Sequence, residues 1–310
     1  MAFTKRVLCG FAGLATALAL TGCAGGGSTP SSDSDGLAHI VASTNVYGDI
    51  ATAIAGDRAD VVSFINSPSQ DPHEYEASAQ DRLAVEDADI VIENGAGYDH
   101  FVDLLLDGAE SQPVVLTAVV AADLVPEAEA HGEAEIEGFN EHVWYSFDAM
   151  EALAQQLATA LADVDPQGAD AYTANYQAFA AQLAELESAA TQLQASAQGK
   201  GVAITEPVPL YLLEAVGLVN QTPEEFSEAV EEGEDVPPRA LQETLDLFGS
   251  GQVALLAYNE QTADNTTEQV RAAAQTAGIP VVDFTETLPE GQTYIEWQRA
   301  NLANLEAALS

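Results

Sequence analysis

Residues 39–65 read HIVASTNVYGDIATAIAGDRADVVSFI, and the order of patterns in this stretch decides the fold class. The β-branched run HIVAST at 39–44 reads as a strand, YGDIATAIAG at 47–56 as a helix and DVVSFI at 60–65 as a second strand. Strand, helix and strand in so short a span predict parallel neighbours with helices covering the sheet. The alternation continues through a helix near 78–87, DIVIEN at 89–94, a helix near 98–107 and PVVLTA at 113–118. It resumes with GVAITE at 201–206, a helix near 209–216, VALLAYN at 253–259, a helix near 264–277, PVVDFTE at 280–286 and a last helix near 291–309. The economical reading is α/β, with two βα lobes built on parallel-type sheets.

A long helical region separates the two series. Asp165-Pro166 offers an N-cap and a first-turn proline, and Gly199 offers a stop. Tyr172, Tyr176, Phe179, Leu183, Leu186, Ala190 and Leu193 recur at alternating four- and three-residue steps. That spacing keeps one face apolar for about thirty residues, or roughly 45 Å of helix. A coiled-coil dimer competes with a rigid strut lying along both lobes, but the repeat spans only about three heptads, and the strut is preferred. The resulting division is a leader at 1–22, a tether at 23–37, a first lobe at 38–164, a linking helix at 165–199 and a second lobe at 200–310.

The chain begins with Lys5 and Arg6, an apolar run from Val7 to Leu20, and Leu20-Thr21-Gly22-Cys23. This pattern predicts a lipoprotein signal peptide with Cys23 lipidated, because the run is short of the roughly 20 residues that a membrane span needs. Cleavage before Cys23 also removes Cys9, so the mature protein has no pair for an internal disulfide. Residues 24–36, AGGGSTPSSDSDG, read as a flexible tether.

Composition excludes several classes of function. With 310 residues and 47% hydrophobic content the chain can bury large cores. Its net charge is −42, and loss of residues 1–22 removes two positive charges and no acid, giving −44. Such a surface repels a phosphate backbone, which excludes nucleic acid as a partner. The one lysine of the mature chain lies in Gln198-Gly199-Lys200-Gly201-Val202, which is not a phosphate-binding loop, so the chain is not itself an ATPase of that type. Nor does any later run approach the apolar length of a membrane channel helix.

The chain has five histidines. His39 at a strand start, His100 in an amphipathic helix and His131 in the acidic stretch PEAEAHGEAEIEGFNEH, 126–142, read as structural or solvated, although a mobile acidic loop could collect cations loosely. His73, in SQDPHEYEAS at 69–78, follows a strand and a loop, so it emerges at a strand's carboxyl end, where open α/β sheets place their ligands. Pro72 fixes its own φ and biases Asp71 toward extended geometry, which aims the imidazole. His142, in NEHVWYS at 140–146, also stands at a loop-to-helix transition. These residues alone leave both ligation and a structural imidazole open.

SQDPHEYEAS and NEHVWYS resemble the two histidine motifs, Asp-Pro-His-x-Tyr/Phe-Glu and Asp/Asn-Pro-His-x-Trp, of the zinc- and manganese-binding solute-binding lipoproteins of ABC metal importers, the cluster A-I family. The resemblance covers essentially the whole mature body, with Glu141 standing where the family often has proline. It implies two further metal ligands. Glu206, in AITEPVPLYLLEAVGL, falls where the family has His or Glu, and Glu286, in VVDFTETLPEG, where it has Asp or Glu. Asp283 and Glu260 are nearby acids, and Asp283 competes with Glu286 for the last position.

His73, His142, Glu206 and Glu286 are 69, 64 and 80 residues apart, so only a tertiary fold can gather them into an interlobe cleft. The resemblance further implies Zn²⁺ or Mn²⁺ as the transported ligand, an ABC permease and its separate ATPase as partners, a lipid anchor on Cys23, a monomer, and no catalysis. Imidazoles and carboxylates without thiolate argue against copper(I) and suit manganese, iron(II) or zinc. Because imidazoles must be unprotonated to ligate, metal binding should weaken below about pH 6.5. Two rivals are a receptor or adhesin for an organic ligand or host surface, and a metal-dependent hydrolase, which would need an open coordination position.

Overall fold

The computed structural model describes residues 37–67, 70, 72, 75–132, 136 and 138–310. The leader, Cys23, the tether up to residue 36, and His73 with its neighbours Asp71 and Glu74 lie outside the described residues.

The first sheet holds β1 (Ala38–Thr44), β2 (Ala59–Ile65), β3 (Ile90–Glu93) and β4 (Val114–Thr117), all parallel, in the order β2-β1-β3-β4. Ile40 on β1 registers with Val61 on one side and Ile90 on the other. The helix Asn45–Ala55 joins β1 to β2 and buries Val46, Tyr47, Ile50, Ala51 and Ile54 against the sheet. Gly48 marks the closest approach of this helix to β2, since a Cβ there would collide with Ser63 Oγ.

The second sheet repeats the plan. Its strands β5 (Gly201–Ile204), β6 (Val219–Asn220), β7 (Val253–Asn259) and β8 (Val281–Phe284) are parallel, in the order β6-β5-β7-β8. Two helices here, Glu224–Glu231 and Pro238–Ser250, have no counterpart in the sequence reading. Phe226, Val230, Ala240, Leu247 and Phe248 on them are buried, and Pro238 sits in the first turn, where its missing N–H costs nothing.

The linking helix runs from Ala169 to Ala197, 29 residues, about 43 Å at 1.5 Å per residue. Asp165 is not its N-cap. It follows the helix Phe147–Val164 and belongs to the turn of a helical hairpin, where its carboxylate accepts from Arg58 Nε and from the Tyr172 hydroxyl, both at 2.8 Å. Gly168 caps the linking helix instead, and the Gly168 N–H donates to Asp165 O at 3.0 Å. Of the apolar stripe, all but Tyr176 are buried, and Tyr176 is partly covered.

The helix packs against Asn45–Ala55 and Phe147–Val164 of the first lobe and against Leu210–Ala215 and Tyr294–Leu309 of the second. Its apolar face is therefore used within its own chain, and one hydrophobic core continues through both lobes.

Hydrogen bonds tie the lobes together beside this core. Asn45 Nδ2 donates to Leu288 O, and Leu288 N donates back to Asn45 Oδ1, both at 2.9 Å. Tyr294 N donates to Asp49 Oδ2 and the Tyr294 hydroxyl to Trp144 O, each at 2.7 Å. Among the described residues no helix is long and apolar enough to cross a membrane.

Candidate metal centre

In each sheet the chain runs one way from the first strand to the second and the other way to the third, which creates a switch point at the carboxyl ends of β1/β3 and β5/β7. Glu206 lies two residues beyond β5, Asn259 is the last residue of β7, and Glu286 lies two residues beyond β8. Both glutamates are 2% exposed. Asn259 Nδ2 donates one hydrogen to Glu206 Oε2 at 2.8 Å and the other to Glu286 Oε1 at 2.9 Å. Thr262 Oγ1 donates to the second oxygen of Glu206. Gln261 Oε1 accepts from the backbone N–H groups of Glu286 and Thr287 at 2.6 and 3.1 Å, which fixes the loop carrying Glu286.

Asp283 and Glu260 point elsewhere. Asp283 is half-exposed and lies 3.5 Å from Arg271, and Glu260 lies 3.9 Å from the same guanidinium. Of the acids near the end of β8, Glu286 is the one turned inward.

On the first-lobe side His142 is fully buried. Asn140 Oδ1 accepts from His142 N at 3.1 Å and sits 2.7 Å from His142 Nδ1. An amide oxygen only accepts, so Nδ1 carries a proton, and Nε2 is the ring nitrogen that faces Glu231 Oε1 at 3.5 Å. Asn140 Nδ2 reaches Pro207 O at 3.1 Å, and the Tyr211 hydroxyl donates to Asn140 O at 2.7 Å, so the second lobe holds the loop that holds His142. These bonds define the backbone where Glu141 replaces the family's proline. Asn94, just beyond β3, adds a bond from Nδ2 to Glu141 O at 3.0 Å. The Tyr98 and Trp144 rings flank the imidazole with centroids 6.1 and 5.0 Å away.

Between the lobes lies a cleft of ≈ 800 Å³, lined by Pro72, Tyr98 and Phe101 from the first lobe and Glu231, Gln261 and Thr262 from the second. His142, Glu206 and Glu286 are not among its lining residues but lie behind them, His142 against Tyr98 and Glu206 against Thr262. Burial first, and then the Glu286 charge, push the Tyr98 hydroxyl well above its usual value. The ligand atom of His142 groups within 4.8 Å with those of Glu141 and Glu231, and among the described residues no such group joins it to Glu206 and Glu286. His73 lies outside the described residues, although the adjacent Pro72 is buried at the cleft wall.

A second acidic cluster has a structural explanation. His131 Nδ1 is 2.9 Å from Asp103 Oδ1 and 3.2 Å from the buried Glu93, with Glu127 3.3 Å from Nε2. The hydrogen bond to Glu93 is the main cause that raises His131 to about 10, making it a cation that pins its loop. The loop is also held by Ala96 N donating to Ala130 O at 2.7 Å. Asp99 accepts from the N–H groups of Asn94 and Gly95, yet burial and then the Glu93 charge raise it to about 7.

Asn140, Asn259, Thr262 and Glu231 were not legible as site residues. A polar residue closing the apolar run VALLAYN was the one available signal for Asn259.

A two-lobed α/β protein with an imidazole from one lobe and paired carboxylates from the other beside a shared cleft is built for capturing a solute. The chain belongs to the zinc-uptake complex component A periplasmic family, whose model matches residues 40–308. It is 32% identical over 183 residues to the manganese-binding lipoprotein MntA of Halalkalibacterium halodurans, an alignment covering 59% of this chain and 58% of that protein. It is 24% identical over 315 residues to the iron ABC transporter substrate-binding lipoprotein MtsA of Streptococcus pyogenes serotype M1, covering 94% of each. The fold superposes with a TM-score of 0.70 on the solute-binding protein FpvC from Pseudomonas aeruginosa in complex with Mn²⁺, at 23% identity over 88% of this chain and 98% of that one.

Proposed function

We propose that this chain is an extracytoplasmic solute-binding lipoprotein that captures a divalent transition metal, Zn²⁺ or Mn²⁺, and delivers it to an ABC permease driven by a separate ATPase. It acts as a monomer tethered to the cell membrane through lipid on Cys23, and it binds and releases its cargo without catalysis. His73, His142, Glu206 and Glu286 are the assigned ligands, with 38–164 and 200–310 as lobes around the linking segment 165–199.

The observation that carries this reading is the buried pair Glu206 and Glu286 held by one neutral amide. Two carboxylates brought together at 2% exposure repel each other, and a divalent ion bound beside them would offset that repulsion. The donor set fits such a cargo. Imidazole and carboxylate suit manganese, iron(II) and zinc, and the relatives' names divide over the ion in the same way.

The test is metal analysis of the purified protein, followed by calorimetric titration of wild type, His73→Ala and His142→Ala with Zn²⁺ and Mn²⁺. One ion per chain and a marked loss in both variants are expected. Wild-type affinity in both variants would falsify the assignment.

A further inference from the structure

Thr262 lies in the turn between β7 and the helix Asn265–Ala277, and it lines the interlobe cleft, whereas Glu206 does not. Its Oγ1 donates to Glu206 Oε1, while Asn259 Nδ2 donates to Glu206 Oε2 at 2.8 Å. The two oxygens of this carboxylate are thus held by separate donors, one at the end of the strand and one on the cleft side. Turning the carboxylate about its Cγ–Cδ bond would break both bonds. Held by Asn259 alone it could pivot on a single bond, and that amide is already shared with Glu286 at 2.9 Å.

The turn is anchored at both ends. At its start the Gln261 N–H donates to Asn259 Oδ1 at 3.1 Å, and Gln261 Oε1 accepts from the N–H groups of Glu286 and Thr287. At its end Asp264 caps the following helix, accepting from Thr266 N at 2.9 Å and Thr267 N at 2.7 Å. A hydroxyl carried between two such anchors is preorganised for its acceptor.

We propose that Thr262 is a positioning residue of the metal centre, holding Glu206 in the orientation in which it takes an ion from the cleft. The proposal rests on the reading of Glu206 as a ligand. Thr262 acts through that carboxylate and does not touch the ion. Its hydroxyl carries the role and its methyl does not, so serine can replace it and valine, of the same shape, cannot.

The experiment is calorimetric titration of the full-length protein, comparing wild type, Thr262→Val, Thr262→Ser and Glu206→Gln, with whichever of Mn²⁺ and Zn²⁺ the wild type binds more tightly. X-ray absorption of the metal-saturated proteins reads the oxygen shell of the ion, which a merely structural role for Thr262 would leave unchanged. Thr262→Val should lose about tenfold or more in affinity with an altered oxygen shell, and Thr262→Ser should stay within about threefold of wild type with the wild-type shell. A smaller loss in Thr262→Val, a loss with an unaltered shell, or a loss that serine does not restore overturns the proposal. Tighter binding in Thr262→Val overturns it too, being the result if the hydroxyl only stabilises the metal-free carboxylate. If Thr262→Val does not fold, Thr262→Ala is judged by the same thresholds. Wild-type binding in Glu206→Gln would instead sink the reading of Glu206 as a ligand, whereas loss there with none in Thr262→Val removes only the role of Thr262.

Discussion

Glu206 and Glu286, 80 residues apart, meet at a single side chain, with Asn259 donating to each at 2.8 and 2.9 Å. The parallel sheet makes this meeting possible, since β5, β7 and β8 are neighbours and all three residues leave the same edge.

Replacing Asn259 with Leu keeps the branched side-chain shape and removes both donors. The carboxylates are then free to rotate away from their shared orientation. Asn259→Leu is expected to weaken metal binding by about 10- to 100-fold, as loss of outer partners of metal ligands does elsewhere. Titration calorimetry measures it, and an affinity within about threefold of wild type would show that Asn259 does not orient the pair.

The metal-free protein should lose stability steadily toward alkaline pH. Asp99, raised from 3.8 to about 7, holds a proton in the fold that the unfolded chain releases, so its contribution is full below 3.8 and is lost as pH rises through 7. His131, raised from 6.5 to about 10, acts with the same sign, with its contribution full below 6.5 and lost through 10. Urea midpoints across this range are the measurement. Asp99→Asn should flatten the lower part of the slope and His131→Gln the upper part, and a wild-type profile that is level from 5 to 10 contradicts both assignments.

The lobes should hinge little, because Asn45 exchanges two hydrogen bonds with Leu288 across them. Asn45→Ala removes both and leaves the Leu288 N–H without that acceptor, at an expected cost of about 1–3 kcal/mol. Hydrogen exchange at Leu288 should accelerate in the variant. Unchanged exchange would mean that the core and the linking helix alone set the lobe arrangement.

The strands flanking the site were legible because β1, β3, β5 and β7 are apolar runs bounded by helical patterns, as strands covered on both faces must be. β6 was not, since two exposed residues carry no period. The helices across 224–250 were hidden by their acids. Phe226 and Val230 are buried, but SEAVEEGEDVPP resembles a solvated loop. Asp165 was misassigned because an Asp-Pro pair serves equally as a helix start and as the turn between two helices, and only the Arg58 and Tyr172 contacts decide between them.

His142 was legible through its motif, and Glu206 and Glu286 only through the family resemblance. Asn259 and Glu231 look in sequence like ordinary polar surface residues. Sheet order and the placement of a second-lobe helix opposite His142 distinguish them.

The central claim is that one divalent ion sits between the lobes with ligands from both. Crystals of Mn²⁺- or Zn²⁺-loaded protein, measured at the corresponding absorption edge, test it most directly. The account predicts a single anomalous peak in the interlobe cleft, about 2.0–2.6 Å from His142 Nε2 and from a second-lobe carboxylate. A peak confined to the cluster around His131, or none within reach of His142 and the second-lobe glutamates, would contradict it.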